Sequence, residues 1–281
     1  MNASGTSAGL GLFAAASWGG SDFAGGLGSR RAPTMLVVAS GHIVSFLLLV
    51  LVCTALHLTP PNRHDQLIAL VAGFEGSLAL AVFYSALAMG AMGLTAALTG
   101  VLTALVPVVF SFFTEGLPKP VTVAGLLGGL FAIWLITHNP QRSGSSTPPA
   151  ALILGALAGT GFGLQLVLFK MASGIGLMWT MTSARAAGSL AMVLVILVNP
   201  PQRPWKGFWQ LGVLAGLLDT AGNLFYIRAT QIGRLDVAAV VCSLYPAGTI
   251  LLAAMMLKEF PTRRQLAGMA VALGSVMLLT A

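Results

Sequence analysis

Apolar residues run through this chain in blocks of about 20, broken by short stretches rich in Pro, Gly, Asn and Arg. A helix of roughly 20 apolar residues, rising 1.5 Å per residue, matches a hydrocarbon core about 30 Å thick. The breaks predict ten such spans, at residues 8–27, 34–58, 66–89, 94–114, 121–138, 150–172, 175–198, 207–230, 235–257 and 262–280. Three breaks are marked by Arg30-Arg31-Ala32-Pro33, Thr59-Pro60-Pro61-Asn62-Arg63 and Glu115-Gly116-Leu117-Pro118-Lys119-Pro120. Gly90-Ala91-Met92-Gly93 predicts a tight turn, and Asn199 to Lys206 an interfacial loop carrying Trp205. Asn139–Pro149 is rich in Pro, Ser and Gly and reads as a linker. It divides the chain into residues 1–138, 139–149 and 150–281, with five spans on either side.

The polar exceptions inside the apolar blocks repeat. Asp219 sits mid-span, and 144 positions earlier Glu75 sits inside another apolar run. At the same offset Ser17-Trp18-Gly19 faces Gly161-Phe162-Gly163, Gly11 faces Gly155, and Glu115 faces Glu259. Acids are rare in this chain, so two aligned acidic pairs indicate a duplication. An odd number of spans per half inverts the second half in the membrane, and inverted repeats place substrate sites at the midplane between the halves. The fold expected is an all-α integral membrane protein of ten helices in two inverted five-helix repeats.

A charged side chain at mid-bilayer costs about 2.5–3.5 kcal/mol on insertion scales, so such groups face the bundle interior. Asp219, Asn223 and Tyr226 fall at i, i+4 and i+7 on one helical stripe, and Arg185 lies in the preceding, antiparallel span. Arg185 and Asp219 are read either as a structural salt bridge or as substrate or proton ligands. Trp18 and Phe162 offer either ordinary packing or two stacking walls of a cleft, with Gln165 on the face of Phe162. Glu75, with no base in the adjoining span interiors, is the proton-coupling candidate. Asp22 and Lys170, near span ends, are expected to snorkel to the interface, and His42 to be neutral and hydrogen-bonded.

Bulk composition agrees. The 281 residues are 57% hydrophobic and 7% charged, with a mean hydropathy of +0.91, against about 25% charge in soluble domains. No soluble domain fits between the spans. The net charge of +7, from 14 Lys and Arg against 7 acids, is scattered, with no basic stripe for nucleic acid. Its distribution between loops leans only mildly toward both termini outside, with several of the charges at span edges, and leaves the orientation open. The first span lacks a basic n-region and is expected to be retained rather than cleaved. Cys53 and Cys242 lie within apolar runs and read as buried thiols. The chain has no G-x-x-x-x-G-K-[ST], G-x-S-x-G, H-E-x-x-H or His cluster. Neither an enzyme, a cofactor nor a metal is therefore expected.

Span 1 with Ser17-Trp18-Gly19, span 9 leading through Ser243-Leu244-Tyr245-Pro246 to Lys258-Glu259, and Arg263-Arg264-Gln265-Leu266-Ala267-Gly268 together resemble the EamA-type permeases of the drug/metabolite transporter superfamily. The first-half counterpart, Pro107 to Glu115, is shorter than Pro246 to Glu259 by five residues. The resemblance implies a secondary carrier, often an exporter of amino acids or other metabolites, in a bacterial inner membrane. It supplies no substrate residues. The expected partners are a small-molecule substrate, the lipid bilayer and protons, in a monomer or homodimer. A non-transporting scaffold or a subunit of a lipid-flipping complex is the rival reading, and it requires that Glu75, Asp219 and Arg185 be replaceable by apolar residues.

Overall fold

In the computed structural model, residues 3–29, 31–88, 92–137, 148–172, 176–201, 207–257 and 262–280 are described. They form α1 (Ala3–Ser29), α2 (Thr34–Ala55), α3 (Arg63–Ala88), α4 (Met92–Thr114), α5 (Pro120–Thr137), α6 (Pro149–Ala172), α7 (Leu177–Val198), α8 (Trp209–Ile232), α9 (Leu235–Cys242), α10 (Tyr245–Leu257) and α11 (Arg263–Thr280). Among the described residues there is no strand. Most of the linker, the Gly90–Gly93 turn in part, the loop charges Arg30, Arg142, Arg203 and Lys206 with Trp205, and Lys258-Glu259 lie outside them.

The predicted spans match helices to within a few residues, with one correction. The block 235–257 is two helices, α9 and α10, rather than one. Pro246 has no N–H to donate, and its ring clashes with the carbonyl four residues back, that of Cys242. The chain tightens instead through Leu244 N–H to Val241 O (3.2 Å) and Ala247 N–H to Leu244 O (3.0 Å) before helix resumes. At the start of α3 the Asn62 side chain caps the helix, accepting from Asp65 N–H at 2.9 Å and donating to Asp65 Oδ2 at 3.0 Å.

Leu47, Leu51, Phe113, Leu197, Val198 and Met255 stand exposed on the outside of the bundle, the reverse of what water tolerates. Thr34–Ala55, Arg63–Phe83, Pro149–Ala172 and Leu177–Val198 are each long and apolar enough to cross a bilayer. The chain is an all-helical, multi-pass membrane protein. Both cysteines are buried free thiols.

Packing is mostly between the two halves. Helix α1 packs on α8 and α6 on α3; α2 packs on α8 and α7 on α3; α4 packs on α6 while α1 packs on α9 and α10. Each contact thus has a counterpart with the halves exchanged, and α2–α7, α4–α9 and α5–α11 pair like with like. Hydrogen bonds follow suit: Ser21 Oγ donates to Ala215 O (2.8 Å) and, 144 residues on, Gln165 Nε2 donates to Ala72 O (3.0 Å). Glycine makes two of these crossings possible. A Cβ on Gly41 would meet Gly212 O at 2.6 Å and Gly216 Cα at 2.8 Å, and a Cβ on Gly73 would run into the Ala184 backbone.

Candidate functional site

Where the halves meet, the helices enclose a cavity of about 150 Å³, room for about five waters at ~30 Å³ each. It runs from the middle of the bundle toward the end where α1 stops and α8 starts, as Ser29 and Gly212 in its lining show. Of the sequence-predicted substrate residues, Trp18, Phe162, Gln165, Arg185, Asp219 and Asn223 all line it.

Helix α7 brings Arg185 to its wall almost wholly buried, 4% exposed. Its guanidinium donates through Nη2 to Asp219 Oδ2 and through Nη1 to His42 Nε2 at 3.1 Å. Asn223 Nδ2 donates to Asp219 O at 2.8 Å and to Oδ2 at 3.2 Å. The i, i+4 spacing on α8 therefore orients the carboxylate that the arginine neutralises. About a third of the Asp219 side chain remains exposed, so the pair is presented to the cavity rather than sealed in. Ser189 Oγ is turned back onto Arg185 O (2.7 Å).

The walls are aromatic. The Trp18 indole meets the Tyr245 ring edge-on at 6.3 Å and lies against Tyr226 at 6.0 Å. Phe162 meets Phe83 edge-on at 5.9 Å. Two predicted residues stand elsewhere. Tyr226, fully buried, donates its hydroxyl to Leu166 O at 2.9 Å and backs Trp18 instead of lining the cavity. Glu75 turns toward α6, its Oε1 2.6 Å from where Gly161 would carry a Cβ. Its Oε2 is buried with no hydrogen-bond partner.

Sequence reasoning missed Asp22, His42 and Tyr245, all of which line the cavity. Asp22 lines the cavity instead of snorkelling, because α1 continues to Ser29; its i, i+4 spacing from Trp18 is the signal the sequence offers. His42 reaches Arg185 across 143 positions, a contact no local periodicity encodes. Tyr245 lines the cavity from the first residue of α10, a helix start that the unbroken span 235–257 does not predict.

At the opposite end of the bundle, charges tie α4, α6, α8 and α9 together. Lys170 donates to Thr230 O and lies 3.6 Å from Glu115 Oε1, so it pairs instead of snorkelling. Glu115 Oε2 accepts from Leu235 N–H at 2.9 Å. Arg234 donates to Glu115 O (3.2 Å), Gly116 O (2.9 Å) and the fully buried Asp236 (2.8 Å). The hydrogen bond to Asp236 pushes the Arg234 guanidinium further above its ordinary value. Among the described residues no group of three His, Cys, Asp or Glu is placed to hold a metal ion.

Residues 149–281 match the EamA-like transporter family. No curated protein matches the sequence. Thirty solved chains resemble the fold. One, described only as a crystal structure of a protein, superposes with a TM-score of 0.78 at 19% identity, covering 99% of this chain and 96% of that one. At that identity the likeness is one of fold.

Proposed function

We propose, from the match of residues 149–281 to the EamA-like transporter family, that the protein belongs to that family and is a secondary active carrier. It exports a small metabolite, an amino acid or amphipathic compound, across a bacterial inner membrane by alternating access. The scaffold is ten spans, the ninth broken, in two inverted repeats. The exchanged packing of α1–α8 with α6–α3 and of α2–α8 with α7–α3 supports that symmetry.

One observation carries the reading above the others: a mainly apolar, aromatic-walled cavity between the halves, lined also by Arg185, Asp219, Asn223 and Gln165, reaching one end of the bundle and stopped before the other. The Lys170–Glu115 and Arg234–Asp236 pairs lie at the stopped end and form its gate in this conformation. Opening it requires these contacts to separate while the Ser29–Gly212 end closes. Trp18 and Phe162 wall the substrate, and Arg185, Asp219, Asn223 and Gln165 supply polar contacts. Glu75, outside the cavity but one residue from the lining Gly76, couples transport to protons.

Counterflow in liposomes tests this. The purified protein is preloaded with unlabelled amino acids and amphipathic metabolites, and uptake of their labelled forms is compared with Asp219→Asn. Saturable exchange, weakened in the variant, is expected. Absence of exchange across the panel would instead favour the scaffold or lipid-flipping-subunit reading.

A further inference from the structure

The cavity's formal charges do not balance. Arg185 offsets Asp219, which it binds together with Asn223. His42 adds no charge: the guanidinium can only donate, so His42 Nε2 accepts and the ring proton sits on Nδ1. That nitrogen is buried without a partner on a residue 8% exposed that lines the cavity. Asp22 is left over. It lines the same cavity, half-buried, and among the described residues no cation or hydrogen-bond donor pairs with it.

The surroundings of Asp22 say what would suit it. It lies one turn beyond Trp18 on α1, so both side chains leave the same face of the helix. Trp18 is held edge-on to Tyr245, and both rings line the same cavity as the carboxylate. A carboxylate and aromatic rings lining one cavity attract a positive nitrogen by charge and by the ring quadrupoles together. An anionic ligand would meet an excess of negative charge, and its one complementary guanidinium is already engaged on two sides.

Resting on the carrier reading for its biological setting, we propose that Asp22, with Trp18 and Tyr245, forms the subsite for a cationic nitrogen of the substrate. The protein thereby selects amines with a compact apolar body over the matching acids and alcohols.

Binding of phenethylamine, 2-phenylethanol and 3-phenylpropanoate to the full-length protein in detergent, followed by tryptophan fluorescence, tests the subsite. Phenethylamine is expected to bind saturably, at least about tenfold tighter than its two isosteres, and Asp22→Asn to weaken it about tenfold or more, as loss of a charged hydrogen bond does. Asp22→Glu, which keeps the charge, is expected to restore most of the affinity and so exclude misfolding as the cause. Equal binding of the amine by wild type and Asp22→Asn, preference for the acid, or no amine binding would overturn the proposal. Phenethylamine counterflow in liposomes separates the two readings. Asp22-dependent binding without counterflow keeps the subsite and removes the carrier. Exchange of other metabolites without Asp22-dependent amine binding does the reverse.

Discussion

Asp219 on α8 and Glu75 on α3 hold matched positions in the two halves, yet their surroundings have diverged. Asp219 faces the cavity, bound by Arg185 and Asn223. Glu75 points between α3 and α6, one oxygen beside Gly161 and the other buried with no partner. The position matching Arg185 in the first half, 144 residues earlier, is Gly41. There a side chain has no room, because α2 and α8 touch backbone to backbone. Packing therefore leaves room for a cation beside one carboxylate and none at the corresponding position of the first half. One acid is thus paired and faces the cavity, while the other stands solitary between two helices.

The sharpest way to break this contrast is Arg185→Met. Removing one partner of a buried pair strands the other, and losses of about 3–5 kcal/mol are usual. A loss at the lower end of that range, with counterflow abolished, is expected by thermal unfolding in detergent, because Asp219 is partly exposed. Adding Asp219→Asn to it should recover part of the stability but none of the transport.

Asp219→Asn alone keeps a hydrogen-bonding group of similar shape. It should cost about 1 kcal/mol, discounted for the open side of the carboxylate, while lowering counterflow about tenfold through loss of a charged contact. Full activity in this variant would make the pair purely structural.

On the other side of the comparison, Gly161→Ala places a methyl group 2.6 Å from Glu75 Oε1 and 2.9 Å from Ala79 Cβ. Overpacking of this kind costs about 1 kcal/mol at its mild end. The double variant with Glu75→Ala, which empties the space, should regain most of it in the same melts. Unchanged melting of Gly161→Ala would show that Glu75 does not rest against α6.

Glu75→Gln should be the quietest change for stability, within about 0.5 kcal/mol, since no partner is lost. Its effect should fall on coupling. Counterflow is expected to persist while uptake driven by an imposed pH gradient disappears. Gradient-driven uptake at the wild-type rate would remove Glu75 from the proton path.

Much of the frame was readable without coordinates because the bilayer imposes it. Apolar length gives each span, and Pro, Gly and charge mark each break, so nine of ten predicted spans correspond to a single helix each. The ninth is broken ahead of Pro246, a residue visible in the sequence; Pro107 stays inside α4 without interrupting it, so proline alone does not announce a break. In the site, the i, i+4 logic that joined Asp219 to Asn223 held within one helix. It also lay behind the misplacement of Tyr226, since a stripe at i+7 continues along α8 but the cavity does not.

The amino-acid order by itself determined that the chain lives in a membrane, where its helices begin and end, and which rare polar groups must be shielded from lipid. Those are consequences of local composition against a fixed hydrocarbon thickness. Only the tertiary structure decided which shielded groups share one space. Arg185 meets His42 across 143 positions, and Asp22 comes to face the same cavity from α1. Such meetings depend on how closely α2 approaches α8 and α3 approaches α7. That spacing is set by paired backbones at Gly41, Gly216, Gly73 and Ala184, contacts between distant segments that no periodicity within a single helix records.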